Sequence, residues 1–139
     1  MISRLSGIRR WLNRGFEARE CSRFQIPDAS ILWSTTRLAD TQSYTGERFP
    51  LYDISRGGLR FLCMEKLKKG TKIYIYITIP DLNEELALSG TVRWIGPNPN
   101  NSYTFQVGVQ FLPYGHSKSL NPPQYLEKIK QLERIYVQS

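Results

Sequence analysis

A chain of 139 residues, 40% of them hydrophobic and without a long polar tract, is sized for one globular domain with its own core and leaves no room for a second. Its formal charge of +7 and pI near 9.6 favour an anionic partner, whether nucleotide, nucleic acid or lipid headgroup. Cys21 and Cys63 lack Cys-x-x-Cys spacing and the lone His116 is far from both, so no metal site and no cofactor is expected. With no apolar stretch long enough to cross a membrane and no continuous apolar segment of a secretory signal, the expectation is a cytoplasmic protein with reduced thiols.

Residues 2–16 place Ile2, Leu5, Ile8, Trp11, Leu12 and Phe16 at steps of three and four, with Arg4, Arg9, Arg10 and Arg14 mostly between them. This spacing predicts a basic amphipathic helix that stops near Gly15. Six arginines less two acids leaves +4 of the charge in residues 1–23. A basic amphipathic helix suits a membrane surface or a partner. The stripe here is better explained by packing on this protein's own barrel or on a second copy, because Trp11 and Phe16 would otherwise expose a large apolar patch.

From Ser30 to Phe111 the spacing changes to alternation. Isoleucine stands at Ile73, Ile75, Ile77 and Ile79, and a strand sends all four to one face. Leu86, Leu88, Val92 and Trp94 repeat the pattern on even positions, and Phe105, Val107, Val109 and Phe111 on odd ones. Shorter runs at 30–36, 48–54 and 58–64 bring the expected strands to six, separated by turn signals at Lys68-Lys69-Gly70, Pro80-Asp81-Leu82-Asn83 and 96–101. Short connections favour antiparallel neighbours, and closure leaves few bare edges, so the fold class is all-β, a six-stranded antiparallel β-barrel. The polar stretch 37–47 is longer than a tight hairpin requires. After Pro122-Pro123 helical spacing returns, with Tyr125, Leu126, Ile129, Leu132, Ile135 and Tyr136 on one side, and predicts a C-terminal helix capping the barrel. The organisation is an N-terminal helix over 1–17 and a barrel domain with its C-terminal helix over 18–139.

Two short patterns carry recognisable chemistry. Arg19-x-x-x-Arg23 supplies two planar, permanently charged guanidinium groups that can grip phosphate or lie on a purine. Asp53-x-Ser55-x-x-Gly58 supplies a carboxylate, a hydroxyl and a position without a Cβ, which suits close approach by a ligand. Asp53 and Ser55 can equally close a turn through side-chain to backbone hydrogen bonds, with Gly57 and Gly58 giving that turn its positive φ.

Together the patterns resemble the PilZ family of cyclic di-GMP receptors. The resemblance covers roughly residues 18–112 and extends to Leu59-Arg-Phe-Leu-Cys63, Gly90-Thr-Val-Arg-Trp94 and Val107-Gly-Val-Gln-Phe111, which are similar to the family's strands in type and order. It implies a PilZ-like barrel with an arginine loop outside it, and a cyclic di-GMP site formed by Arg19, Arg23, Asp53, Ser55 and Gly58. In that site Arg19 and Arg23 would take phosphate or guanine O6 and N7, and Asp53 would accept from guanine N1–H and N2–H. Arg56 and Arg93 are weaker candidates. Ala18 stands where many members carry a further arginine, which leaves open whether one or two nucleotides bind.

A non-catalytic receptor that regulates a protein partner is the leading expectation. A PilZ-like adaptor that does not bind nucleotide is the alternative. An oligonucleotide-binding barrel using Tyr74 and Tyr76 is a third reading, set aside in favour of no nucleic-acid partner. No catalytic constellation is visible.

Overall fold

Alternating apolar side chains become six strands, which we label β1 (Ser30–Ser34), β2 (Phe49–Ser55), β3 (Gly58–Cys63), β4 (Lys72–Ile79), β5 (Glu84–Pro97) and β6 (Phe105–Phe111). The structure, a computed structural model, describes residues 22–36, 47–98 and 103–137. The helix predicted over 2–16, with Arg19, Cys21 and nearly all of the 37–47 stretch, lies outside the described residues. The strands form a closed barrel in the order β1-β2-β3-β6-β5-β4, and every neighbouring pair is antiparallel. The predicted all-β, six-stranded architecture is therefore the one observed.

The core sits inside the barrel. Ile73, Ile75, Ile77 and Ile79 of β4 are fully buried, as are Ile31, Ile54, Leu59, Phe61, Leu86, Val92 and Val107. Burying side chains of this size stabilises the fold by about 1.5–3 kcal/mol each relative to exposure. Cys63 is also fully buried, and desolvation there pushes its thiol pKa up, as suits a core thiol. Tyr76, on the opposite face of β4, is nearly buried and donates its hydroxyl to Glu85, so it is no open stacking surface.

One end of the barrel is covered by helix α1 (Pro123–Tyr136), which begins with proline where the missing N–H costs nothing. Ile129 and Leu132 enter the core and Tyr125 and Tyr136 pack against it. Ile135 is predicted on that same side but is 52% exposed, because in the last turn it is Tyr136, one position on, that faces the core. Lys128–Glu84 (2.6 Å) and Arg56–Glu133 (2.9 Å) tie the helix to the barrel. Buried Asn121 fixes the approach to α1: it donates to the carbonyls of Ser89 (3.0 Å) and Leu112 (2.9 Å) and accepts from the Ser89 N–H (2.8 Å).

Two details of the alternation differ from expectation, and both have a local cause. The β5–β6 register shifts between Val92 and Trp94. A bulge of this kind turns the next side chain to the other face. Trp94 consequently leaves the core face and is 43% exposed. The 55–58 turn, in turn, needs no left-handed glycine: among the described glycines only Gly70 has positive φ, at 88°.

Candidate functional site

The site is built on the β2–β3 hairpin. Ser55 pairs with Gly58, Ile54 with Leu59 and Asp53 with Arg60, leaving Arg56-Gly57 as the two-residue turn. Ile54 points into the core, so its neighbour Asp53 faces outward along the strand. The chain entering at Ser22 crosses this spot and is pinned there by a bridge: Phe24 N–H donates to the Ile54 carbonyl (2.9 Å) and Ile54 N–H to the Phe24 carbonyl (3.0 Å). That bridge lays Arg23 beside Asp53.

Asp53 is only 5% exposed and is held by two arginines. Arg23 Nη1 donates to its Oδ1 at 3.1 Å. Arg60 Nε approaches Oδ1 and Oδ2 at 3.1 and 3.2 Å, and Arg60 Nη2 donates to Oδ2. Donating its hydrogen bonds to Asp53 raises the Arg60 pKa above its ordinary value, outweighing the opposing effect of burial. Arg60 is further positioned by Gln106, whose Oε1 accepts from Nη1 at 3.3 Å, and by the ring of Tyr52, 4.8 Å below its guanidinium carbon.

Of the five residues expected at the site, Arg23 and Asp53 are thus brought together directly, and Arg19 lies outside the described residues. Ser55 is buried and serves the turn, accepting from the Gly57 N–H at 3.3 Å with its hydroxyl 3.4 Å from the Gly58 carbonyl. Gly58 is required by the barrel itself. A Cβ there would stand 2.2 Å from the Val109 carbonyl oxygen of β6, so the residue permits close strand approach.

Two residues that the sequence motifs do not contain complete the surface. Cross-strand partners run Asp53–Arg60–Gly108–Trp94 over β2, β3, β6 and β5, one row around the barrel. With neighbouring strands about 4.8 Å apart, Trp94 lies about 10 Å from Arg60 along this row. Its indole rests on a floor without side chains: a Cβ at Gly96 would meet Cζ2 at 2.7 Å, and one at Gly108 would meet the Trp94 Cβ at 3.4 Å. Beside it, Arg56, Gly57, Thr91, Arg93 and Gln110 line a pocket of about 350 Å³. The structure therefore joins Arg56 and Arg93, although Arg56 is paired with Glu133 and Arg93 Nε with Gln110 Oε1 (2.8 Å).

Arg60 was legible in principle. A two-residue turn at 56–57 places residue 53 opposite residue 60, so the motif's carboxylate implies a cross-strand partner there. Trp94 was not, because its outward direction depends on the bulge. Chemically the surface offers a buried carboxylate acceptor, several guanidinium donors and an exposed indole, which suits an anionic purine ligand. Among the described residues no group of three or more His, Cys, Asp or Glu could hold a metal ion. No described helix is long and apolar enough to cross a membrane.

The PilZ domain family model matches residues 19–119. Comparison with curated protein sequences gave no match. Among solved structures, the chain is similar to YcgR of Escherichia coli in complex with c-di-GMP, with 20% identity and a TM-score of 0.60 over 84% of this chain and 45% of that one. It is also similar to the Bacillus subtilis inhibitor of motility MotI, with 15% identity and a TM-score of 0.62 over 84% and 50%. A third similar structure is the MrkH–c-di-GMP complex of K. pneumonia, with 15% identity and a TM-score of 0.59 over 86% and 53%. The chain spans about half the length of these three proteins.

Proposed function

The chain belongs to the PilZ domain family, and from that premise we propose that it is a non-catalytic receptor for cyclic di-GMP that regulates a protein partner. The observation that carries this reading is the Arg23–Asp53–Arg60 cluster, set in one row with an exposed tryptophan. A guanine edge offers N1–H and N2–H together, and Asp53 accepts both. Adenine lacks that donor pair, which makes Asp53 the base-selective group. The guanine takes the place of Arg23, which then turns with Arg19 to the ligand's phosphates or purine faces. The arginine segment changes partners as a result, and what residues 1–23 present to a protein partner changes with it.

Four or five charge-assisted hydrogen bonds contribute about 1.5–3 kcal/mol each. Breaking the Arg23–Asp53 contact and immobilising the ligand offset much of this. About 8 kcal/mol remains, which corresponds to roughly micromolar affinity. The test is calorimetric titration with cyclic di-GMP beside cyclic di-AMP. Saturable, guanine-selective heat is the expected result, and the molar ratio reports whether one or two nucleotides bind. A steep log-linear loss of affinity with salt, as phosphate-backbone binding shows, would instead point to an oligonucleotide.

Trp94 gives a second readout. Base stacking on an aromatic side chain contributes about 1–3 kcal/mol. Trp94→Ala should therefore weaken binding about tenfold or more while Trp94→Phe retains most of it. Tryptophan emission should also be quenched by ligand in the parent protein, and Trp94→Phe should lose most of that quenching.

A constitutive adaptor is favoured by one observation, that both oxygens of Asp53 are already engaged by arginines. In that reading the cluster only fastens the entering chain to the hairpin. A folded protein that gives no heat with high-micromolar cyclic di-GMP is its expected signature.

A further inference from the structure

We infer that Arg60, which belongs to neither motif, is a positioning residue: it aims the Asp53 carboxylate and remains as its counter-charge when a guanine edge takes over the bond made by Arg23. The inference rests on the cyclic di-GMP reading above and concerns how that site discriminates.

The two arginines on Asp53 are not equivalent. The Arg23 side chain is 49% exposed, makes one 3.1 Å contact, and sits on a segment that joins the barrel through the Phe24–Ile54 bridge. Arg60 is in the middle of β3, paired on one side with Asp53 and on the other with Gly108. Its guanidinium reaches both carboxylate oxygens, bonds Gln106 and lies over Tyr52. An arginine fixed from that many sides gives up its contacts with Asp53, Gln106 and Tyr52 together if it leaves, whereas Arg23 can be exchanged by rotation of one half-exposed side chain.

Charge then decides what the exchange requires. The Asp53 side chain is only 7% exposed. A carboxylate that buried is strongly unfavourable without a cationic partner. The guanine edge replaces the hydrogen bond of Arg23 but brings no positive charge to Asp53. Arg60 supplies the charge throughout, and its fork fixes the carboxylate plane so that the remaining lone pairs meet the two guanine donors. Without it, Asp53 keeps Arg23 or turns away, and the base is no longer read.

The test is titration of the full chain with cyclic di-GMP and cyclic di-AMP in five forms: parent, Arg60→Gln, Arg60→Lys, Asp53→Asn, and the Arg60→Gln/Asp53→Asn double variant, each checked for folding by circular dichroism. Arg60→Gln is expected to weaken cyclic di-GMP binding about thirtyfold and to bring the two ligands' affinities close together. Arg60→Lys, which keeps the charge without the fork, should restore part of the affinity and little of the selectivity. In the Asp53→Asn background Arg60→Gln should cost less than about threefold, since a residue acting through Asp53 has nothing left to position.

Retention of parental affinity and selectivity in Arg60→Gln overturns the inference. So does an undiminished loss in the Asp53→Asn background, which would mean that Arg60 touches the ligand itself. Should Arg60→Gln fail to fold, Arg60→Lys decides alone, and full selectivity there overturns the inference as well. A folded parent that binds neither nucleotide overturns the receptor reading first and this inference with it, whereas the variant outcomes bear on Arg60 only.

Discussion

Gly58→Ala is expected to destabilise the protein by about 3 kcal/mol and to lower Tm by roughly 10 °C or more. The added Cβ would stand 2.2 Å from the Val109 oxygen, 3.3 Å from the Val109 carbonyl carbon and 3.4 Å from the Gln110 Cα. All three are backbone atoms of β6, the strand that pairs with β3, so no side chain can rotate aside to make room. The sheet has to part at the point where the Phe111 N–H donates to the Gly57 carbonyl at 2.8 Å. Gly57→Ala is the matched control, because a Cβ there meets nothing within 4 Å. Thermal melts of both variants check the pair. A Gly58→Ala protein with parental Tm and weakened ligand binding would return this glycine to the role the motif suggests, room for a ligand's edge.

The barrel was almost fully legible because its strands alternate cleanly. All four isoleucines of β4 enter the core as period-two spacing requires, and the predicted runs 30–36, 48–54 and 58–64 meet the observed strand ends within one or two positions. The failures share a physical origin: they arise where one element adjusts to its neighbour. Trp94 is outward because β5 bulges against β6, and nothing within 90–94 announces it. Ile135 continues the helical stripe in sequence, yet Tyr136 takes the core-facing place in that turn. At the site, the structure sets Arg23 against Asp53, while Ser55 hydrogen-bonds within the turn and Gly58 leaves room for β6, contacts that depend on how the hairpin and its neighbour pack. Arg60 shows the converse, since its importance follows from pairing register, a relation between strands that composition and motif do not express.

Arg23→Ala should do the opposite of Gly58→Ala. Stability should change by less than about 1 kcal/mol, because an ion pair whose cation is 49% exposed contributes little and Arg60 continues to satisfy the carboxylate. Binding of cyclic di-GMP should weaken at least tenfold, about 1.4 kcal/mol, because the guanidinium that leaves Asp53 is the one available to the ligand. Arg23→Lys separates charge from shape: an ammonium keeps the attraction to phosphate but cannot lie flat on a purine or form a planar fork. Its affinity should fall between those of the parent and Arg23→Ala. Calorimetry beside thermal melts, with and without ligand, reads both quantities from the same samples. Parental affinity in Arg23→Ala would make the Arg23–Asp53 pair a fastening of the entering chain and move the function to the constitutive adaptor. A tenfold loss at unchanged Tm is the result a fastening role does not produce, since it requires Arg23 to be worth more to the complex than to the fold.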